Sequence, residues 1–166
     1  MDTMGEQVFF REVVRFKAKA DALFASVDAR LRALLPCAFV EHVGSTSLPD
    51  GLTKGDLDVQ VRVPPESFEV ACRTLASLYE ENPGGFTDGG HSYKDDSTDP
   101  PLGVHVTVID GPSDIQFRQR DILRARADLR AEYDALKRRF HGARMDEYRE
   151  AKHAFWSELG LKVKRI

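Results

Sequence analysis

The segment DLDVQVRV, residues 56–63, alternates strictly between polar and aliphatic side chains. Successive side chains of an extended strand point to opposite faces, so this pattern predicts a β-strand with one apolar face and one polar face. The polar face carries Asp56, Asp58, Gln60 and Arg62. Because two carboxylates on one side of a strand repel each other, we expect either water or a cation between Asp56 and Asp58.

Patterns elsewhere in the chain predict the neighbours of this strand. CAFVEHV, which runs into a Gly-Ser turn, and LGVHVTVID, which alternates again, predict two further strands. Apolar residues at three- and four-residue spacing predict a first helix from about Val8 to Leu35 and a second helix within ESFEVACRTLASLYE. The segment from Asn82 to Pro101 is rich in turn-forming residues and predicts a mobile loop with a short strand around His91 to Lys94.

Two more helical stripes occupy the C-terminal part, from Ile115 to Phe140 and, after a break at Gly142, from Tyr148 to Leu159. The predicted order is helix, strand, strand, helix, weak strand, strand, helix, helix. It indicates an α/β (α+β) fold with one mixed β-sheet, flanking helices and a C-terminal helical pair. Because 166 residues is an ordinary domain size and no linker or repeat divides the chain, we expect a single domain over residues 1–166.

Composition argues against several functional classes. The net charge of -3 argues against a broad nucleic-acid surface or membrane-binding surface, so any phosphate contacts must be local. Cys37 and Cys72 lack CxxC spacing and are expected to be reduced thiols. The N-terminal residues mix charges with apolar side chains, which is typical of neither a signal peptide nor a membrane span. By elimination, we expect a cytoplasmic protein.

The pair Asp56 and Asp58 has two explanations. In an isolated Asp-x-Asp strand the carboxylates commonly face water, and their repulsion costs roughly a few tenths of a kcal/mol. Alternatively, they hold Mg²⁺, which takes one or two protein carboxylates and completes its shell with water and phosphate oxygens. The first explanation needs no ligand, whereas the second predicts a phosphate-binding element nearby.

The sequence GSTS, residues 44–47, is a candidate for that element. Gly44 allows the backbone to approach an anion closely, and Ser45, Thr46 and Ser47 have hydroxyls and amides suited to phosphate oxygens at a helix N-terminus. An ordinary turn with a helix cap is the competing explanation. A P-loop is a poorer one because the pattern Gly-x-x-x-x-Gly-Lys-Ser/Thr is absent.

The combination resembles two nested families. Gly-Ser, then ten residues from Thr46 to Gly55, then Asp-Leu-Asp resembles the signature of the nucleotidyltransferase superfamily. EHVGSTSLPDGLTKGDLDV, residues 41–59, is similar to the GrpB family motif His-[Ile/Val]-Gly-Ser-Thr-[Ala/Ser]-Val-Pro-Gly-Leu-x-x-Lys-x-x-[Ile/Leu/Val]-Asp, with Asp50 as an insertion or shift. The segments VHV, RDILRARADLRAEYDALKRRF and YREAKHAFWSEL also resemble GrpB segments, which extends the resemblance to about Leu159.

The resemblance implies a nucleotidyltransferase-like fold and roles for particular residues. In the superfamily, the Gly-Ser turn opens a short helix whose amides and hydroxyl hold the phosphates of a nucleotide, and the Asp pair holds Mg²⁺. These roles fall on residues 44–47 and on Asp56 and Asp58. Many GrpB members have an apolar residue at the position of Asp56, so this chain is closer there to an active nucleotidyltransferase.

One part of the superfamily pattern is missing. Active members generally carry a third carboxylate on a neighbouring strand, but here LGVHVTVID offers His105 and Thr107 on the face of the site. Asp110 has the opposite parity and is expected to face away unless a bulge intervenes. His105 is either a general base that replaces the acid or a packed, hydrogen-bonded residue.

Basic side chains form the next group of candidates. Lys54 precedes the acids, Arg120 and Arg124 are one helical turn apart, and Arg120, Arg124 and Lys152 match GrpB motif positions. These four side chains either neutralise a triphosphate or another acidic substrate, or simply solvate outer faces. Lys137 also matches a motif position, but we expect it to face solvent.

The remaining residues of note have structural explanations. His42 precedes the Gly-Ser turn, and we expect its ring to bond loop backbone. The aromatic residues predicted to lie in the core are Tyr133, Tyr148, Phe155 and Trp156.

The favoured hypothesis is a Mg²⁺-dependent nucleotidyltransferase that acts on a nucleoside triphosphate, or another phosphorylated small molecule, and on a small-molecule or protein acceptor. Its rival is a catalytically degenerate module of the same fold that binds a nucleotide, an anion or a partner, and the missing third carboxylate favours that rival. Hydrolysis of a phosphate ester with the same metal-binding acids is a third hypothesis. Neither a broad nucleic-acid surface nor a membrane is an expected partner.

Overall fold

The computed structural model describes residues 5–161 and confirms the mixed α/β architecture. Its strands are β1 (Arg11–Glu12), β2 (Phe39–Val43), β3 (Leu52–Thr53), β4 (Leu57–Val63), β5 (Glu80–Glu81), β6 (Gly90–Asp95) and β7 (Leu102–Val108). Its helices are α1 (Lys17–Leu34), α2 (Phe68–Leu78), α3 (Gln116–Ala125), α4 (Ala127–Phe140) and α5 (Met145–Glu158). Single turns of 3₁₀ helix lie at Val13–Arg15, Ser45–Ser47 and Pro65–Ser67.

Five strands form the main sheet in the order β2-β4-β7-β6-β5. β4 and β7 run parallel, and the other neighbours run antiparallel. The register places Asp58 opposite Val43 of β2 on one side and opposite Gly103 of β7 on the other. The start of β4 therefore lies beside the end of β2, where the Gly-Ser turn begins.

The apolar face of β4 is covered by helices, as the alternating pattern predicts. Leu57, Val59, Val61 and Val63 are all fully buried. They pack in one cluster with residues of α1 and α2, including Leu31 and Leu75. Burial of an aliphatic side chain of this size contributes about 1.5–3 kcal/mol, so this layer holds the central strands firmly in place.

The polar face of β4 is not a wetted surface along its whole length, because its later residues are covered by protein. Gln60 is fully buried, and its amide donates to Thr107 Oγ1 at 2.9 Å and to Asp114 Oδ1 at 3.1 Å. Arg62 forms a bidentate ion pair with Asp114, at 2.6 and 2.8 Å. The backbone amide of Phe117 in α3 donates to Gln60 Oε1, so the segment that leads into α3 covers this face.

The predicted first helix begins later than expected. Helix α1 starts at Lys17, and the residues before it form β1, which pairs with β3. Val8 and Phe10 do not continue the α1 stripe; they are buried in a separate cluster with Tyr148 of α5. The helical spacing of apolar residues in this region therefore does not mark one helix, because the residues before α1 and those of α1 pack in different clusters.

The long C-terminal helical stripe divides into two helices. Arg126 adopts φ -116° and ψ 93°, an extended conformation that separates α3 from α4. Neither Gly nor Pro marks this break in the sequence. The predicted weak strand around His91 to Lys94 is present as β6. Within residues 5–161, no helix combines the length and the apolar character needed to cross a membrane.

Candidate functional site

The Asp58 side chain lies at the junction of three strands. β4 carries it, Gly44 follows its β2 partner Val43, and Gly103 is its partner on β7. Gly44 has φ +71°, and a Cβ there would collide with the Asp58 carboxylate, whose Cγ would be 3.1 Å away. A Cβ at Gly103 would be 3.0 Å from Asp58 Oδ1. Both neighbours are glycine because the backbone passes so close to this carboxylate.

The site opens into a cavity of about 770 Å³ beside the polar face of the sheet. Small-molecule sites commonly have volumes of roughly 300–1,000 Å³. The charged side chains that line the cavity include Lys54, Asp56, Asp58, Lys137 and Lys152. We call this space the cleft. Its wall also includes Lys94, Arg120, Arg149, Glu6 and Asp96, so basic groups outnumber the acidic ones, which suits an anionic ligand.

His105 of β7 connects Asp58 to Ser92 of β6. The His105 Nε2 atom lies 3.3 Å from Asp58 Oδ1, and Nδ1 lies 2.7 Å from Ser92 Oγ. Burial alone would raise the pKa of Asp58, but the hydrogen bond and charge of His105, with the charges of Lys54 and Lys152, hold that pKa below its ordinary value. Asp58 is therefore kept ionised, as a metal ligand must be.

The role of His105 as a general base stays a prediction. Both of its ring nitrogens are engaged, one by Asp58 and the other by Ser92. These two contacts fix the orientation of the imidazole ring. The geometry fits a residue that orients Asp58, in the way that outer partners orient metal ligands.

Asp56 lies immediately before β4 and differs from Asp58 in its electrostatics. Burial and the negative charge of Asp58 raise the pKa of Asp56, and Lys54, whose Nζ lies 3.5 Å from Asp56 Oδ2, only partly offsets this. About a third of each aspartate side chain stays exposed, 33% for Asp56 and 32% for Asp58. The two carboxylates thus repel each other in a place that solvent can reach.

Only half of the predicted phosphate turn faces the cleft. Gly44 and Ser45 line it, and Ser45–Ser47 form one turn of 3₁₀ helix rather than the start of a longer helix. Thr46 and Ser47 are buried. The Thr46 hydroxyl donates to Asp56 O at 3.0 Å, and the Ser47 hydroxyl donates to Gly44 O at 2.5 Å. These two hydroxyls stabilise the turn, so the expectation that they contact phosphate is corrected.

The expectation that Lys137 faces solvent is wrong. Its side chain is 1% exposed and reaches from α4 into the cleft wall. Its Nζ atom lies 2.7 Å from Ser45 Oγ and 2.7 Å from Leu52 O. The stripe of α4 places Lys137 four residues after Tyr133, on the buried face, and this spacing is the signal that sequence reasoning overlooked.

Lys54 and Lys152 line the cleft, and their contact with an anionic ligand stays a prediction. Burial, followed by the positive charge of Lys54, lowers the pKa of Lys152, while Asp58 and Asp56 oppose this shift. Lys152 has no carboxylate oxygen within 4.0 Å among residues 5–161. An added anion would relieve this uncompensated charge.

The two arginines contribute less directly. Arg120 lines the cleft, but it pairs with Glu41 at 2.7 Å and donates to His42 O at 3.1 Å. Arg124 donates to Ser47 O at 2.8 and 3.2 Å and does not line the cleft. Arg124 therefore holds the Gly-Ser turn in place, and its predicted phosphate contact is corrected to a positioning contact.

His42 and the aromatic residues are structural. The His42 ring stacks on Phe24 and bonds Thr46 Oγ1 at 3.1 Å, so it contacts a loop side chain rather than loop backbone. The core prediction is confirmed for Tyr133, Tyr148 and Trp156, which are buried, and Phe155 packs against them partly buried.

Sequence reasoning missed one acid on the polar face. Asp114 is buried, and Arg62, Gln60 and the amide of Asp110 all bond it. Its carboxylate pairs with Arg62, so it does not supply the missing third carboxylate. Asp110 itself lies in a turn with φ +60°, away from the cleft. In residues 5–161, no group of three or more His, Cys, Asp or Glu side chains is arranged to hold a metal.

The donors that are present still fit Mg²⁺. This ion binds proteins through one or two carboxylates and keeps water or substrate phosphates in its other positions. Asp56 and Asp58 supply two such carboxylates in the lining of the cleft, and about a third of each side chain is exposed. The same set does not fit zinc, which takes three or four nitrogen, sulfur or oxygen ligands from the protein.

Comparison with known proteins gives a consistent result. The family model described as GrpB protein matches residues 11–161. The chain is 28% identical over 159 residues to the UPF0157 protein VC_A0354 of Vibrio cholerae, which covers 92% of this chain and 81% of that protein. The crystal structure of the conserved protein GrpB from Enterococcus faecalis has a TM-score of 0.61 at 17% identity, covering 92% of each chain. The structural likeness supports the fold.

Proposed function

The chain belongs to the GrpB family, and from that premise we propose that it is a Mg²⁺-dependent nucleotidyltransferase that binds a nucleoside triphosphate in the cleft. The observation that supports this most strongly is the close contact between the Gly44 backbone and Asp58. It joins the turn that would hold phosphates to the acid that would hold the metal. The nucleotidyltransferase superfamily is part of the proposal.

Different residues of the cleft would bind the metal and the phosphates. Asp56 and Asp58 would hold Mg²⁺, which when bound neutralises phosphate charge and polarises the phosphorus under attack. Gly44 and Ser45 would contact the phosphates from the turn. Lys152 lines the same cleft, and its ammonium group is a compact positive charge. Among residues 5–161 it has no ion-pair partner.

The proposed reaction transfers a nucleoside monophosphate group. The nucleophile of the acceptor forms a bond to the α-phosphorus and releases its proton to solvent, the bond from that phosphorus to the bridging oxygen breaks, and pyrophosphate leaves. Catalysis of this kind depends on positioning and charge stabilisation more than on covalent chemistry by the metal ligands. Lys54 and Lys152 supply positive charge beside the developing pyrophosphate.

A degenerate binding module remains a second candidate, and a specific observation favours it. The strand position beside Asp58 on β7 is Gly103, and the next inward side chain is His105, so neither supplies a third carboxylate. Such a site would bind triphosphate with Mg²⁺ without transferring a nucleotidyl group. The alternative therefore shares the ligand and differs in turnover.

Pyrophosphate release separates the two candidates. The protein is incubated with each of ATP, CTP, GTP and UTP, with Mg²⁺ and a mixture of small-molecule and protein acceptors, and pyrophosphate and orthophosphate are assayed in parallel. Pyrophosphate release that is lost in Asp58→Asn supports nucleotidyl transfer. Metal-dependent binding without any release supports the binding module, and release of orthophosphate alone indicates phosphate-ester hydrolysis.

A further inference from the structure

A serine and a buried lysine meet in the wall of the cleft. Ser45 Oγ lies 2.7 Å from Lys137 Nζ. Ser45 is half-buried and lines the cleft, directly after the exposed Gly44, so its hydroxyl is within reach of a bound ligand. A nucleophile and a base side chain within about 2.6–3.2 Å of each other form the signature of an activated nucleophile.

The other contacts of Lys137 hold it in position for a role as base. Its Nζ lies 2.7 Å from Leu52 O and 4.2 Å from the centre of the Tyr133 ring. A neutral amine has two hydrogens and one lone pair. With the hydrogens directed to the carbonyl and to the ring face, the lone pair remains for the hydroxyl hydrogen of Ser45.

The surroundings of Lys137 favour loss of its proton. Within residues 5–161, no carboxylate oxygen lies within 4.0 Å of Nζ. Burial, aided by the positive charges of Lys152 and Lys54, lowers its pKa to about 7, while Asp134 and Asp56 oppose the shift. A substantial neutral fraction is therefore present near neutral pH, as a lysine base requires.

We propose that Ser45 and Lys137 form a nucleophile and base pair, and that Ser45 is the first acceptor of the transferred nucleotidyl group. This inference rests on the proposed function, because it takes its electrophile, a nucleoside triphosphate, from the same cleft. The cationic wall favours a phosphorus electrophile over a neutral ester, since Lys54 and Lys152 attract anions.

The transfer takes place in two balanced steps. Ser45 Oγ forms a bond to the α-phosphorus, its proton passes to Lys137 Nζ, and the bond to the bridging oxygen breaks to release pyrophosphate. In the second step the acceptor attacks the seryl phosphodiester, and the bond from phosphorus to Ser45 Oγ breaks. The proton on Lys137 returns to Ser45, and the acceptor's own proton leaves to solvent.

The test traps the covalent intermediate in the absence of acceptor. The full-length protein is mixed with ATP and Mg²⁺, quenched, and analysed by intact mass and peptide mapping. The expected result is an adduct of one nucleoside monophosphate on Ser45, absent in Ser45→Ala and formed more slowly by on the order of 10²-fold in Lys137→Met. Arg138→Met, which removes an exposed positive charge next to Lys137 in the chain, and Ser77→Ala on the exposed face of α2 should form the adduct normally.

A second readout needs neither nucleotide nor metal. A fluorophosphonate probe reacts with activated serines, and we expect it to label Ser45 of the wild-type protein in the presence of chelator. This keeps the inference testable if Lys137→Met does not fold. An unlabelled Ser45 in a folded protein that binds triphosphate would overturn the inference.

The outcomes separate this inference from the proposed function. Metal-dependent triphosphate binding and pyrophosphate release without any Ser45 adduct would overturn the covalent step and leave direct transfer standing. An adduct that forms equally fast in Lys137→Met would overturn the role of Lys137 as base. Absence of metal-dependent binding in the wild-type protein would remove the proposed function together with this inference.

Discussion

The Asp58 carboxylate occupies the space that a side chain at Gly44 would need. The contact spans the β2 to β4 pairing, in which Val43 lies opposite Asp58. The turn that we propose to hold phosphate and the acid that we propose to hold the metal are therefore in close contact, so a change in one should affect the other. This coupling gives the first prediction.

Gly44→Ala should destabilise the protein and weaken triphosphate binding. Alanine would adopt φ +71° and would also meet the Asp58 side chain, so we expect a loss of about 2–4 kcal/mol in the free energy of unfolding by urea titration. Gly84→Ala is the matched control because Gly84 has φ +77° and a Cβ added there would have no atom within 4 Å. An equal loss of unfolding free energy in the two variants would contradict the account. It would mean that the loss comes from backbone strain, which both positions share, and not from the contact with Asp58.

Asp114→Asn should reduce stability without removing metal-dependent binding. Asp114 is buried and pairs with Arg62, so its neutralisation leaves a cation uncompensated at a cost of about 3 kcal/mol. Asp128→Asn, which breaks the exposed pair with Arg126, should change stability far less. The measurement is urea unfolding, followed by calorimetry with triphosphate on the folded variant. Loss of the metal dependence in folded Asp114→Asn would instead identify Asp114 as the missing third acid.

Stability should rise between pH 7 and pH 9 because of Lys137. Its pKa falls from 10.5 to about 7 on folding, so the folded state releases its proton first and the unfolded state binds more protons in this interval. Unfolding free energy therefore increases as the pH rises, by up to about 2 kcal/mol. In Lys137→Met this contribution should vanish, while a contribution of the same sign from Lys152 remains in both proteins. An identical pH dependence in the two proteins would show that Lys137 is charged alike in both states.

Local patterns predicted the strands β2, β4, β6 and β7, but neither β5 nor the strand order. Alternation in DLDVQVRV follows from the two-residue period of a strand, and Leu57 to Val63 form β4 with the predicted apolar face. The register that brings Asp58 beside Gly44 was implied by the family motif rather than by periodicity. The sheet then places both in one cleft because β2 and β4 are direct neighbours.

Long-range contacts explain what the sequence could not predict. Lys137 meets Ser45 across 92 positions, and Asp114 meets Gln60 across 54, so no local pattern reports either contact. A charged side chain on a helix usually faces solvent, so the sequence alone does not reveal that a residue such as Lys137 has a buried partner. Arg126 shows a related limit of periodicity, because a stripe of apolar residues continues through a break that carries neither Gly nor Pro.

The central claim is that Asp58 holds a metal that meets triphosphate at the Gly44 turn. The most direct test is calorimetric titration of nucleoside triphosphate into the wild-type protein, Asp58→Asn and Glu69→Gln, each with Mg²⁺ and with chelator. Glu69 is a highly exposed acid on α2, which packs on the opposite face of the sheet, so its variant matches the change in charge. We predict that Mg²⁺ strengthens binding in the wild-type protein and in Glu69→Gln, and that Asp58→Asn loses this dependence. Equal affinity in Mg²⁺ and in chelator for the wild-type protein, or a metal dependence that survives in Asp58→Asn, would contradict the claim.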